Sequence, residues 1–427
     1  MSAAKPTVAI LVTMDTKAPE ALFVASCLAN AGTTPWIVDL SLMPHDSTGA
    51  DMTGGDVAEA GGHSWDGLAK MDRRAASDAM LDGAIKVVRG RFDAGELDGA
   101  IGLGGANGTT MACAIMRALP YLVPKAMVSA VAATAAVQWY VAEADIAMHA
   151  SIGDVALNRI TKAAMENAAV GVAAAACHRA NKAAETEDHP PLVAISSFGG
   201  TAGCVDRAQA LLEAEGFEVI LFHASGIGGR ALERLAREGE LAGVLDITTH
   251  ELTDFVTNGV YDAGGERLTG AGAMGLPQVV VPGAIDHSNF WAGQAPERYR
   301  EREFFQYNAQ NLLMRTNGDE MAELGRAFAE RLNAANGPVR VLIPLEGYSE
   351  HTKRKTYDLA ENELGSWKQP ETDRKFSQTL NENLTTGTVE ELPCHINDAA
   401  FADACVAAFL EIIGSAPGGT RTSGAAS

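Results

Sequence analysis

The chain has 427 residues, of which 47% are hydrophobic and 6% aromatic, and it carries a formal charge of −21. That length is too great for one hydrophobic core and calls for two or more domains. The acidic surface and the shortage of aromatic rings exclude nucleic acid and anionic membranes as partners.

The first apolar run, "TVAILV" at 7–12, reads as a strand. It is too short for a signal peptide and no other stretch is long enough to span a membrane, so the cytoplasm is the expected location. "TMDTKAPE" follows, with Asp15 and Thr16 at the strand's carboxyl end and Lys17 in the turn. A helix cap accounts for Asp15 and Thr16. Lys17 opposes the dipole of the helix it opens, a conflict that a bound phosphate resolves. A helix and the strand "TPWIVDLS" come next. From Ser41 to Glu96 the sequence is polar and Gly-rich. An irregular segment of that length reads either as a lid or interface arm or as a mobile loop.

"ELDGAIGLGG" then leads a strand into the turn "GLGGANGTT" and a helix. The turn fits neither standard nucleotide fingerprint. Asn107 stands where G-x-G-x-x-G needs its third glycine, no acid follows at the ribose spacing, and no Lys closes a P-loop. A Gly-rich strand-to-helix turn still aims free N–H groups and a helix dipole at one point. Two readings stay open. In one, Gly104, Gly105, Asn107 and Gly108 cradle phosphate, Asn107-Gly108 suits a positive φ, and Thr109 or Thr110 reaches a phosphate oxygen or Mg2+. In the other, the turn is tight and holds no ligand. The next strand, "KAMVSAVA", ends near Ser129, and "SIGDVALNRI" places Asp154 and Asn158 one turn apart on a helix.

"NKAAETEDHPP", 181–191, reads as a linker. Beyond it the same signals return in the same order. "LVAISS" answers "TVAILV", "FEVILFHAS" answers "TPWIVDLS", "ELAGVLDITT" answers "ELDGAIGLGG", and "MGLPQVVVPGAID" answers "LPYLVPKAMVSAVA". The expected fold is α/β, with two similar Rossmann-like lobes whose mostly parallel sheets are covered by helices on both faces. The lobes span 1–185 and 190–414, and the low-complexity tail 415–427 is expected to be disordered. "INDAAFADACVAAFLEII" before it reads as an amphipathic helix capped by Asp398.

The second lobe gathers polar residues at its strand ends. They are His223 and Ser225; Asp246, Thr248, Thr249, His250 and Glu251; Asp286, His287 and Asn289; and Glu346, Ser349 and His351. Each alone reads as a cap or surface residue, but together they suggest a ligand site. If chemistry occurs there, His223 and His287 are the acid/base candidates, because histidine titrates near neutrality. Asp246, Glu251 and Asp286 then orient them or hold Mg2+ beside substrate phosphates. No Ser-His-Asp signature is present. The six cysteines, at 27, 113, 177, 204, 394 and 405, have no zinc spacing, so no metal site built of protein ligands is expected.

"GLGGANGTTMACAIMRALPYLVPKAMVS", "SIGDVALNRITKAAMENAA", "FHASGIGGRALERL", "GVLDITTHEL", "PQVVVPGAIDHSNF" and "PVRVLIPLEGYSEH" give the chain a specific resemblance. It resembles the family formed by the ATP-binding domain of the tomato mosaic virus resistance protein and its bacterial relatives, over nearly its whole length. The resemblance implies two α/β domains, ATP bound mainly by the first, and self-association as at least a dimer. By position it places the nucleotide at Gly104, Gly105, Gly108 and Thr109, at Met14, Asp15, Thr16 and Lys17, and at Val128 and Ser129. The resulting expectation is an ATP-binding protein. Its catalytic form would be an ATP-dependent enzyme acting on a small acid or sugar at the cleft between lobes. The alternative is a non-catalytic module that senses a nucleotide or metabolite.

Overall fold

The computed structural model describes residues 5–182 and 189–414. The expected tail at 415–427 and the middle of the expected linker, 183–188, lie outside the described residues. The chain divides into two compact units, 1–188 and 189–427. Among the described residues no helix is long and apolar enough to cross a membrane.

The first unit runs β1 (Thr7–Val12), α1 (Met14–Asn30), β2 (Thr34–Asp39), α2 (Gly54–Ala60), α3 (Trp65–Leu68), α4 (Arg73–Asp93) and β3 (Gly99–Gly104). It continues with α5 (Ala106–Arg117), β4 (Lys125–Ser129), α6 (Val137–Val141), β5 (Ala147–Ala150) and α7 (Arg159–Lys182). Its five strands are all parallel, in the order β2-β1-β3-β4-β5. Both faces are covered, which is why the strands are apolar throughout rather than alternating. In β1, Val8, Ile10 and Val12 pack with α1 and α7, while Ala9 and Leu11 pack with the layer of α4 and α5. The chain moves outward from β1 to β2 and then returns past β1 to β3. The crevice between the carboxyl ends of β1 and β3 is therefore the switch point where open α/β sheets bind ligands.

The segment from Ser41 to Glu96 is largely helical rather than irregular. It holds α2, α3 and the long α4, the crossover between β2 and β3. Each start is capped: Thr53 forms a reciprocal capping box with Asp56, Ser64 accepts from Gly67 N, and Asp72 accepts from Arg74 N and Ala75 N. Its glycines serve contact between helices. A Cβ on Gly83 would lie 2.0 Å from the Val57 carbonyl oxygen.

The second unit runs β6 (Leu192–Ser197), α8 (Ala202–Ala214), β7 (Glu218–His223), α9 (Ile227–Glu238), β8 (Gly243–Thr248), α10 (Glu251–Thr257), α11 (Gly270–Ala273) and β9 (Gln278–Gly283). Then come β10 (His287–Trp291), β11 (Phe304–Gln306), β12 (Asn311–Arg315), α12 (Gly318–Asn333), β13 (Val339–Pro344), β14 (Lys355–Tyr357), β15 (Glu363–Ser366), α13 (Pro370–Asn383), β16 (Thr388–Leu392) and α14 (Ala399–Ile413). Its parallel sheet, β7-β6-β8-β9-β13-β16, repeats the order of the first, strand for strand through the four paired sequence segments. The new feature is an antiparallel sheet, β10-β12-β11-β14-β15, built from two excursions that follow β9 and β13. Asp398 stands at the N-cap position of α14, but its carboxylate accepts from His395 N instead of capping the helix.

Candidate functional site

In the first unit a cavity of about 1020 Å3 opens at the carboxyl ends of β1 and β3. Asp15, Thr16, Lys17, Gly104, Gly105, Asn107, Gly108 and Thr110 all line it. The two helices entering it differ. The amino end of α1 has its donors occupied. Met14 N donates to Asp39 Oδ1 and Asp15 N to Ser41 Oγ, while Thr16 N and Lys17 N donate to the Thr13 carbonyl. At α5 the cap position is Gly105, which has no side chain to offer, and Thr109 N is the first N–H bonded back, to Gly105 O at 2.9 Å. The N–H groups of Ala106, Asn107 and Gly108 have no acceptor among the described residues, so the amino end of α5 is the one with donors to spare.

No residue of the turn from Gly104 to Gly108 has a positive φ, so Asn107-Gly108 is not used that way. The glycines provide close approach instead. A Cβ on Gly104 would stand 2.8 Å from Gly108 Cα, and one on Gly108 would stand 3.1 Å from the Leu103 carbonyl oxygen. Thr109 and Ser129 do not line the cavity. Both are buried, with their hydroxyls 2.6 Å apart, and Ser129 Oγ also accepts from Val131 N. They bolt the start of α5 to the end of β4 and offer nothing to Mg2+. Thr110 Oγ1 donates back to the Ala106 carbonyl. Lys17 breaks the helical path of α1, and its ammonium donates to the Val155 carbonyl. The conflict with the dipole is thus relieved within the protein.

Two wall residues escaped the sequence reading. Arg73 and Arg74 open α4 and line the same cavity. Their signal was available, since two arginines in a first turn stand where the dipole favours acids. The apolar wall is Leu42, Met43, Leu68, Met71, Ala76 and Met111. Asp39, fully buried at the end of β2, was also overlooked. It accepts from Met14 N, Gly54 N and the hydroxyls of Ser41 and Ser47, and so ties the first turn to the segment after β2.

In the second unit the candidate residues separate into two clusters. Asp246 and Glu251 belong to Arg267, which is fully buried and which the sequence reading missed. Its guanidinium reaches Asp246 Oδ2 at 2.5 Å and Oδ1 at 2.7 Å, Glu251 Oε2 at 2.7 Å and Glu233 Oε1 at 3.1 Å. Burial alone would depress this guanidinium; the carboxylates outweigh it and hold it well above its ordinary value. Glu251 also accepts from Gly226 N and Gly229 N at the start of α9. These two acids orient no imidazole and are closed to Mg2+. His223 stands exposed at the end of edge strand β7, its ring 5.3 Å from that of Phe198.

The other cluster brings together Asp286, His287, Ser349 and His351. Asp286 is buried and accepts from Ser349 Oγ at 2.7 Å and Trp367 Nε1 at 2.8 Å, with His287 Nδ1 at 3.0 Å. Burial acts to raise its carboxyl, but the bond to His287 and the charge of Arg315 outweigh it and hold the group below the usual carboxylate range. Asp286 is thus an anion that keeps the proton of His287 on Nδ1. Two residues earlier Ala284 sits at φ 60°, a strained backbone that turns the chain between β9 and β10.

Residues 6–182 match the N-terminal domain of the uncharacterised protein family UPF0261, and residues 190–413 match its C-terminal domain. The chain belongs to the UPF0261 family. A UPF0261 protein of Rhizobium meliloti is 36% identical over 94% of this chain and 98% of its own length. One of Clostridium tetani is 36% identical over 92% and 95%. The ToMV resistance protein Tm-1 of Solanum lycopersicum is 35% identical over 75% of this chain, a match that takes in 42% of the tomato protein. UPF0261 membership and the relation to Tm-1 agree with the resemblance read from the motifs.

Proposed function

We propose that this UPF0261 protein binds ATP in the cavity of its first unit. The observation that carries the reading is the uncapped amino end of α5, which faces the switch-point cavity with three free N–H groups and with Lys17, Arg73 and Arg74 on the walls. The volume suits a nucleotide. The apolar wall suits a base, and the N–H groups and cations suit its phosphates. The Asp15 carboxylate is exposed on the wall and has no partner among the described residues, so it is the group that fits Mg2+ held jointly with phosphate. Self-association into a dimer or larger homo-oligomer belongs to the same reading and is checked by light scattering.

The test uses Gly105→Asp. A Cβ there meets nothing within 4 Å, and its φ of −77° with extended ψ is the conformation of an acidic N-cap. The variant should fold at least as stably as the wild type, because its carboxylate caps α5. It should also lose the thermal stabilisation that Mg2+ and ATP confer. No stabilisation of the wild type by any adenine nucleotide, or equal stabilisation of the variant, sinks the proposal. ADP and phosphate released in the same samples show hydrolysis of ATP by water, and ADP release that requires an added small acid or sugar makes the protein an ATP-dependent enzyme acting on that acceptor. Saturable binding without release makes it a nucleotide- or metabolite-sensing module.

A further inference from the structure

Three buried imidazoles of the second unit touch one another, and they are not equally satisfied. The rings of His250 and His287 are stacked with centroids 5.9 Å apart, and those of His287 and His351 lie 5.2 Å apart at 82°. Both nitrogens of His250 are in use. Nε2 lies 2.6 Å from the Ala224 carbonyl oxygen and Nδ1 lies 3.1 Å from Asn289 Nδ2, whose amide is in turn fixed by Asp254. His287 Nε2 and His351 Nδ1 have no hydrogen-bond partner among the described residues, although His287 is fully buried and His351 is 2% exposed. Buried polar atoms are nearly always paired, because an orphan costs about 1–3 kcal/mol. Two orphans on adjacent rings point to a guest.

The protonation pattern says what the guest must offer. With the His287 proton held on Nδ1 by the Asp286 carboxylate, Nε2 is a lone pair and needs a donor. His351 is kept neutral by burial, its value lowered to about 4, so Nδ1 can be the N–H of a neutral ring. A hydroxyl satisfies both at once, giving its proton to His287 and accepting from His351. Trp367, Phe305 and Tyr307 pack around His351, with centroids 5.6, 5.9 and 5.7 Å away, and strip the site of bulk water. Tyr307, at 47% exposed, is the ring on the solvent side.

We propose that His287, His351 and Asp286 form a second ligand site, independent of the nucleotide cavity, that takes the hydroxyl group of a small molecule and in which His287 Nε2 accepts the hydroxyl's hydrogen bond. The O–H donates its hydrogen bond to the Nε2 lone pair, which draws electron density onto the oxygen, and the Asp286 carboxylate offsets the positive charge that develops on the ring. Asp286 acts through His287 as a positioning residue, and Ser349 and Trp367 hold it in place.

The experiment is 15N NMR of the full chain labelled at histidine, with ethylene glycol as the hydroxyl probe and 1,2-dimethoxyethane, its methyl ether, as the control. Expected are a His287 ring protonated at Nδ1 with a bare Nε2, and saturable shifts of His287 Nε2 and His351 Nδ1 with the glycol only. His351→Phe, which keeps an aromatic ring among the neighbours, should abolish the His287 response while the protein stays folded. Asp286→Asn should release the proton to either nitrogen and weaken the response in proportion. A structural water only, seen as no glycol-dependent shift in the wild type, overturns the proposal. So does an equal response to the ether, or a response that persists in His351→Phe. None of these outcomes depends on nucleotide binding.

Discussion

The Thr109 hydroxyl lies 2.6 Å from the Ser129 hydroxyl, with both side chains buried. This pair, together with the strand register that sets Gly104 beside Ser129, holds the first turn of α5 against the sheet. It leaves the backbone N–H groups of the turn, rather than its threonine, to face the cavity. Thr109→Val should leave the Ser129 hydroxyl with only the bond it accepts from Val131 N and cost about 1 kcal/mol of stability, read by urea unfolding. ATP affinity should fall only as far as the turn loosens. Loss of binding with stability unchanged would mean that Thr109 touches the ligand.

Arg73 and Arg74 occupy a helix start that disfavours cations, and the nearest acid to Arg74, Asp78, is 4.0 Å away with both groups exposed. Truncating either to Ala should weaken ATP about tenfold, the scale of one charge-assisted hydrogen bond, and leave AMP nearly unchanged. Calorimetric titration with ATP, ADP and AMP reads the difference. Equal losses for ATP and AMP would assign these arginines to the base or ribose.

Among the described residues, Arg267 is the cation that pairs with Asp246, Glu251 and Glu233 in that buried cluster. Arg267→Met should cost about 3–5 kcal/mol, because it leaves buried carboxylates without a counter-charge. Adding Asp246→Asn to that background should recover part of the loss in denaturant unfolding. An Arg267→Met variant as stable as the wild type would show that the cluster is not a structural pin.

His351 titrates at 6.5 when unperturbed and is lowered to about 4 in the folded chain, first by burial and then by the neighbouring His287. Between these values the unfolded chain takes a proton that the folded chain refuses, so this contribution falls as pH drops from about 6.5 to about 4. Asp373 works the other way. Burial pushes it from 3.8 to about 6, so its contribution rises as pH falls through the same range. The comparison of wild type with His351→Asn isolates the first effect. Between pH 6.5 and 4 the variant should lose less stability, by up to about 3 kcal/mol. Parallel pH profiles would remove His351 from the account.

The two-lobe fold was legible in the chain because strand patterning is local. "TVAILV" and "LVAISS" became β1 and β6, and each later pair of segments took the same place in its sheet. The site of the first unit was legible as far as strand ends and glycines mark a crevice. Arg73 and Arg74 carry a signal only once the start of α4 is known, and the polar segment that holds them declares its helices weakly. Gly61 and Gly83 look like loop residues in a sequence, yet they are there so that α2 and α4 can touch.

The sequence by itself determined the order of strands and helices, the duplicated lobe and the residues available at the strand ends, since apolar period and turn chemistry are written along the chain. Only the tertiary structure decided which of those residues are free to act. Asp246, Glu251 and Asp286 look alike in sequence, as buried acids at strand ends. Two are committed to Arg267, which comes from a loop between helices, and the third to a histidine beside it and to Ser349 and Trp367 far along the chain. The charge and hydrogen bonds that set a buried acid's role come from residues remote in sequence, and folding alone brings them within reach.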